Sequence, residues 1–441
     1  MSHRRDFITG TAGTLGAFAL APVGRIANSM EAEPALDEWL GTELRRLGTS
    51  ADAATLAEDE AFWARIRRAY ALHPGIVNLD HGWTNPTPRA AVDEVARGAR
   101  DLESLPADRL PRVWEEVTTT KVRAALAEAM GVPPAEIALV RNATEALDTV
   151  LLGLPLAAGD EIVCSAHDYY AMLDALEQRR ARDGVVLRMV RPPVPAPSLD
   201  ALTETYEAVI GPRTKLVLLT HPSNLTGQLL PVARITAAAH RVGAEVVVDG
   251  AQSLGLATES VASLGVDYYG ASVHKWLGGP VGLGVLWMRP AHVTKVWPLI
   301  PPGPGTEGMG RFEWIGTSPE YVNPAVLPAL QLHETLGAER KAARLRYLET
   351  YWRTKAAAAL PNARFYTAAG GTMSCGLCTI ELPGTDPKPV QRRLLERDHV
   401  LVQAMGNARA PEIRGLRVSP NVYTTPAELD RFVAALKAAA G

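Results

Sequence analysis

Lys275 lies in a glycine-rich stretch, Gly270-Ala271-Ser272-Val273-His274-Lys275-Trp276-Leu277-Gly278-Gly279-Pro280, just after an apolar run that reads as a strand. A lysine amine condenses with a carbonyl compound to an imine, and glycines let the backbone approach a bound ring. Ser272 and His274 flank the lysine with groups able to bond a phosphate. Upstream, Val246-Val247-Val248-Asp249-Gly250-Ala251-Gln252-Ser253 puts a carboxylate at the carboxyl end of a buried apolar strand, where open α/β sheets gather ligands. A carboxylate there needs a cationic partner, which a protonated ring nitrogen would supply. Earlier still, Asn142-Ala143-Thr144 follows the apolar run 137–140 and opens a helix whose N-terminal N–H groups and dipole favour a phosphate at Thr144. Taken singly, each feature has a plainer reading: Asn142 or Thr144 as a cap, Asp249 as an N-cap, Lys275 as a solvated lysine.

These residues need a sheet to converge. From about residue 74 short apolar runs alternate with amphipathic helices, the pattern of a largely parallel sheet covered on both faces. Strands are expected at 161–165, 187–190, 214–220, 244–249, 268–272 and 282–288, with helices at 171–182 and 232–242, the latter stopped by Gly243. The Pro/Gly-rich stretch 298–310 reads as a long loop. Beyond it, 327–358 reads as one long helix, and 373–382, 400–403 and 416–419 as strands of a smaller C-terminal α+β domain. Residues 31–73 read as a charged helical arm. The domain division is therefore 1–30, 31–73, 74–315 and 316–441.

In this order and spacing, Asn142-Ala143-Thr144, Asn224, Asp249, Gln252 and Ser272-x-His274-Lys275 resemble the class V aminotransferase family of fold-type-I pyridoxal phosphate (PLP) enzymes, over residues 74–435. The chain is most similar to the isopenicillin N epimerase-like branch, and in character to exported PLP enzymes that tailor pyoverdine siderophores. That resemblance implies an α/β fold with a seven-stranded-type, mostly parallel sheet. It implies PLP as a Schiff base on Lys275, which would also serve as the proton-transferring base, with Asp249 on the pyridine nitrogen. By the same resemblance Asn224 would bond the ring hydroxyl and Gln252 would help fix that edge. Tyr169 would stack on the ring, with Tyr170 as the second choice. Ala143, Thr144, Ser272 and His274 would hold the phosphate. Gly316-Thr317 would reach the phosphate of a neighbouring subunit in a homodimer. Arg417 would grip the substrate carboxylate, with Arg414 as fallback. His81, where relatives commonly carry a small or amide residue, is a candidate substrate contact or second acid/base.

Cysteine desulfurases of the family carry a nucleophilic Cys shortly before that arginine, whereas residues 405–411 here read Met-Gly-Asn-Ala-Arg-Ala-Pro, so desulfurase activity is not expected. Cys375 and Cys378 read as packing residues in a strand, and no metal site is expected. The 441 residues are 47% hydrophobic with a net charge of −3, enough for a large core and without the basic runs that grip nucleic acid or anionic lipid. No apolar stretch in the body of the chain is long enough to span a membrane. Arg4-Arg5 before a weakly apolar Gly/Ala/Thr-rich run reads as a twin-arginine export signal, which implies a periplasmic or secreted protein, the alternative being cytoplasmic. The expected function is α-proton abstraction from an amino-acid-derived, peptide- or siderophore-like small molecule, with epimerisation or transamination as outcome. A β-elimination lyase is the alternative, and a non-catalytic binding protein a more distant one.

Overall fold

The computed structural model describes residues 42, 53–303, 305–369, 371–406 and 408–440. The expected export signal and all of the arm before Ala53 except Thr42 lie outside these residues, as does Asn407.

In chain order the strands are β1 (Val77–Asn78), β2 (Ile137–Val140), β3 (Glu161–Ser165), β4 (Val186–Val190), β5 (Thr214–Thr220), β6 (Glu245–Asp249), β7 (Tyr268–Ser272), β8 (Gly284–Met288), β9 (Arg364–Phe365), β10 (Cys378–Glu381), β11 (Val400–Leu401), β12 (Gln403–Met405) and β13 (Gly415–Val418). Seven of them form the central sheet in the order β2-β8-β7-β6-β5-β3-β4. Pairing is parallel from β7 across to β4, and β8 runs antiparallel to both of its neighbours.

Both faces of the sheet's interior are covered, so its central strands are nearly continuous apolar runs, whereas edge strand β4 carries Arg188 and is largely exposed. In β5, Leu216 and Leu218 enter one core while Val217 and Leu219 enter the other, and β6 divides Val247 from Val246 and Val248 in the same way. The period-two pleat sends successive side chains to opposite layers, and helices Ala143–Gly153 and Val232–Arg241 bury their apolar stripes against them. A four-stranded antiparallel sheet, β12-β13-β10-β9, forms a third core with Leu348, Trp352 and Phe432. β1 pairs in parallel with β11, Val77 opposite Val400, and ties the start of the α/β region to the C-terminal part.

Several expectations are corrected. The helix expected over 327–358 is two, Val326–Leu336 and Ala338–Ala359, because Gly337 sits between them at φ +84°. The strand expected over 373–382 shrinks to β10, and Cys375 lies in the loop before it. Gly376 adopts φ +96° there, so close to Leu345 that a Cβ would lie 2.7 Å from that side chain. The single strand expected over 400–403 splits between two sheets. The loop 298–310 closes in a 3₁₀ turn, Gly308–Phe312. Helices Ala53–Ala57 and Glu60–Arg67 are built into the core: Arg344, fully buried, donates to the Ala57, Val422 and Thr424 carbonyls and pairs with Glu60.

Candidate active site

Thr220, Asp249 and Gly270 stand side by side in register at the carboxyl ends of β5, β6 and β7. A cavity of about 180 Å³ opens there, and Ala143, Thr144, Tyr169, Asn224, Asp249, Gln252, Ser272, His274 and Lys275 all line it. Nine residues spread over more than 130 positions of sequence are thus brought to one place. Asp249, 2% exposed, has its pKa raised by burial, while Lys275 opposes that shift and the Ala251 N–H donates to Oδ1 at 3.0 Å. Burial pushes the Lys275 amine down to about 8; Asp249 and Asp80 pull it up and Arg417 pushes it down.

At the helix start, Asn142 caps by accepting from Glu145 N at 2.9 Å, so the cap reading holds for that residue. The Ala143 N–H is committed to Ser272 Oγ at 2.8 Å, which leaves the Ser272 hydroxyl proton free to donate into the cavity. Thr144 lines the cavity without a hydrogen-bond partner of its own among the described residues. β8 passes so close that a Cβ on Gly284 would lie 2.6 Å from the Asn142 Cα. Burial, with the nearby Lys275, lowers His274 to about 4, and its Nδ1 is buried without a partner.

Tyr169 precedes helix Tyr170–Asp183 and packs tilted on Tyr170, ring centroids 4.6 Å apart. Burial and Tyr170 both raise its pKa, so the phenol keeps its proton. Asn224 Oδ1 is buried and unpartnered. Gln252 is engaged at both ends, donating from Nε2 to the Gly82 carbonyl at 2.8 Å and accepting from Trp276 Nε1 at 2.7 Å. The donor set fits PLP: hydroxyls and a helix start for an anionic phosphate, a buried carboxylate for a ring cation, an amine for a carbonyl, and orphaned Asn224 and His274 atoms awaiting partners.

Arg417, on β13, approaches from the small sheet. Its Nη1 donates to the Asn224 carbonyl at 3.0 Å, its Nη2 pairs with Asp80 Oδ1 at 2.7 Å, and its Nε is buried without a partner. Arg414 stands apart, beside Asp386 at 3.4 Å with both side chains more than half exposed. His81 does not line the cavity. Its Nδ1 lies 2.9 Å from the Ser419 carbonyl, its ring meets Tyr423 edge-on, and burial lowers its pKa to about 4. Gly316 and Thr317 are exposed and also outside the cavity, on a loop whose neighbours Ile315 and Ser318 border an adjoining recess shared with Asn142 and His274.

Sequence reasoning passed over Asp80, the partner of Arg417, and Trp83, which is 64% exposed at the cavity and belongs to the same turn as His81. It also passed over Thr220 and Asp168, whose oxygens meet at 2.8 Å; burial, with Asp249 adding to it, raises Asp168 to about 7. Only the position of Thr220 at a strand end beside Asp249 could have signalled that pair.

The class-V aminotransferase profile matches residues 77–432. Isopenicillin N epimerase of Streptomyces clavuligerus is 32% identical over 86% of this chain and 99% of its own, and that of Amycolatopsis lactamdurans 32% identical over 85% and 98%. A probable cysteine desulfurase of Mycolicibacterium paratuberculosis is 29% identical over 82% of this chain and 55% of its own length. Among solved structures, a C-DES mutant with glycine covalently linked to its PLP cofactor superposes with a TM-score of 0.74 at 24% identity, covering 84% of this chain and 98% of that one. The cystine C–S lyase C-DES in complex with cysteine persulfide gives 0.68 at 26% identity, covering 81% and 96%. With a family match across most of its length and a site built for PLP, this chain belongs to the class V aminotransferase family of PLP enzymes.

Proposed function

We propose that this enzyme carries PLP on Lys275 and removes the α-proton of an amino-acid-derived small molecule, peptide- or siderophore-like, as an epimerase or aminotransferase. One observation carries the reading: a buried lysine amine and a buried carboxylate share one cavity, each perturbed by burial and by the other. The likeness to isopenicillin N epimerases over nearly their whole length supports its direction.

When bound, PLP supplies an electron-withdrawing ring conjugated to the substrate nitrogen. Asp249 opposes the positive charge of a protonated ring nitrogen. Lys275, whose amine titrates at about 8, is partly neutral near neutral pH and can both take and return a proton. Ser272, Thr144 and His274 would hold the phosphate, Asn224 Oδ1 would accept from a ring hydroxyl, and Tyr169 would cover one face. Arg417 offers its unpartnered Nε to a substrate carboxylate while Asp80 and the Asn224 carbonyl fix its other donors. Gly316-Thr317 of a second subunit would complete the phosphate end, so the enzyme acts as a homodimer. Export through the twin-arginine segment would place it outside the cytoplasm; changing Arg4-Arg5 to Lys-Lys should then retain it inside.

A β-elimination outcome is the second reading, supported by the likeness to a cystine C–S lyase. Against persulfide-forming desulfuration stands the absence of Cys in 405–411; Cys164, Cys375 and Cys378 are buried, and burial raises all three thiols. The deciding experiment is an absorption spectrum of the holoenzyme with candidate amino donors and no keto-acid acceptor, run beside solvent-deuterium exchange. Conversion of the cofactor to its pyridoxamine form identifies transamination. A persistent spectrum with inversion and deuterium at Cα identifies epimerisation, and release of ammonia with a keto acid identifies elimination. No visible cofactor absorption even with added PLP would overturn the proposal.

A further inference from the structure

Three consecutive carbonyls leave the turn that carries Lys275, and each is held by a different part of the chain. The His274 carbonyl accepts from Asn85 N at 2.9 Å and the Lys275 carbonyl from Gly278 N at 3.0 Å. The Trp276 carbonyl accepts from Nζ of Lys341 at 2.8 Å. Lys341 projects from helix Ala338–Ala359, is 5% exposed, and has His333 Nδ1 at 3.1 Å as its second contact. Burial alone pushes its amine down to about 7, with no carboxylate near enough to oppose the shift. Burying an amine without a counter-ion is costly, and leucine or methionine would fill the space without that penalty.

What Lys341 reaches is the backbone one residue from Lys275. From there the contacts continue: Trp276 Nε1 donates to Gln252 Oε1 at 2.7 Å, and Gln252 Nε2 donates to the Gly82 carbonyl at 2.8 Å. Gly82 in turn lies against Arg417, where an added Cβ would come within 3.1 Å of Cζ. Residues 273–279 belong to no helix or strand; backbone bonds from Val273 N to the Leu283 carbonyl and from Gly279 N to the Val273 carbonyl close the base of the turn, and the contacts above hold its middle, where Lys275 and Trp276 lie.

We propose that Lys341 is a positioning residue for Lys275: through the Trp276 carbonyl, and onward through the Trp276 indole, Gln252 and Gly82, it fixes the turn that aims the Lys275 amine into the cavity. The inference rests on the reading of Lys275 as the cofactor-bearing lysine.

Lys341→Met keeps the length and apolar bulk and removes the donor; Lys341→Gln restores an N–H. Each protein is loaded with PLP, dialysed to measure retention, reduced with borohydride and digested, and the cofactor bound to Lys275 is counted by mass spectrometry. Lys341→Met is expected to lose about tenfold to hundredfold in PLP affinity, the range for one hydrogen bond from a charged donor, and Lys341→Gln to regain most of it. Wild-type retention in folded Lys341→Met overturns the proposal. Equal losses in both variants also overturn it, as a packing effect. Should Lys341→Met fail to fold, Trp276→Phe cuts the next link of the chain, and it should show the same loss; unchanged retention there overturns the proposal. Cofactor trapped on a residue other than Lys275 in the wild type would instead overturn the underlying reading of the site.

Discussion

Removing Asp80 should expose how Arg417 is held. Asp80 and Arg417 meet at 2.7 Å with each side chain only 6% exposed. Burial raises the Asp80 pKa even with Arg417 beside it, so desolvation outweighs the attraction and the pair as a whole adds little to stability. A single deletion differs, because it strands the other charge: Arg417→Met should cost about 3–5 kcal/mol. Asp80→Ala should fall at the lower end of about 3 kcal/mol, since Nη1 still donates to the Asn224 carbonyl. The double variant should return to within about 2 kcal/mol of wild type, a coupling of at least about 4 kcal/mol. Urea unfolding of the four apoproteins measures this cycle. A second readout follows from Lys275, whose amine Asp80 pulls up and Arg417 pushes down. Asp80→Ala should lower its titration midpoint below about 8 and Arg417→Met should raise it, read from the pH dependence of reductive methylation at Lys275. Single-variant costs under about 1 kcal/mol that simply add, or shifts of the same sign at Lys275, would refute the account.

Lys275→Ala should abolish borohydride trapping of PLP and lower turnover at least about a thousandfold; substantial residual turnover would move the chemistry elsewhere. Burial lowers the Lys275 and Lys341 amines to about 8 and about 7 from 10.5, so the unfolded chain holds their protons longer and these two groups make apoprotein stability rise with pH from about 7 to about 9, above which the three buried thiols, raised from 9.0, oppose the rise. Lys341→Met should remove its share of the rise, on the order of 5 kcal/mol at most, and an unfolding free energy whose pH dependence matches wild type would contradict that. A Cβ on Gly82 would lie 2.9 Å from Leu377 and 3.1 Å from the Arg417 guanidinium carbon. Gly82→Ala should therefore cost about 1–3 kcal/mol and raise KM for a carboxylate substrate more than it lowers kcat; an unchanged KM would separate Arg417 from substrate binding.

The central sheet was legible because its strands carry one signal. β3, β5 and β7 have the expected bounds, since a strand covered on both faces is an uninterrupted apolar run ended by polar or glycine residues. Around the C-terminal sheet the signals were weaker. Leucine-rich helix sequence before it and alanine-rich helix sequence after it hid the break at Gly337, and Val402 is buried between two short strands that belong to different sheets. At the site, residues with a chemical signature stood out: Lys275, Asp249 and the Asn142 cap converge. Those that act on other protein atoms did not. Nothing in the sequence around Lys341 distinguishes it from the other lysines and arginines of its helix, and the commitment of Gln252 to Trp276 and Gly82 arises only when segments some 170 residues apart meet.

The same distinction bears on which reaction the enzyme performs. In the proposed reading Lys275 and Asp249 would serve every fate of the substrate carbanion alike, so the fate would be set by what surrounds them. Two loops lie around the cavity. Residues 80–85 bring Asp80 to Arg417 and the exposed indole of Trp83 to the cavity. The other, 408–414, is anchored over helix Tyr170–Asp183 by Arg409 on Asp174 at 2.7 Å, and to the end of β3 by Glu412 on His167 at 2.8 Å. Arg191 pairs with the same Glu412 at 3.0 Å. A loop that delivers a nucleophile to a bound substrate needs a thiol and freedom to move; this one has no cysteine and is tied down at both Arg409 and Glu412. Within the proposed reading, that leaves Lys275 to move the proton and the groups around it, Tyr169 and residues 80–85, to direct it, the condition under which epimerisation or transamination outcompetes sulfur transfer.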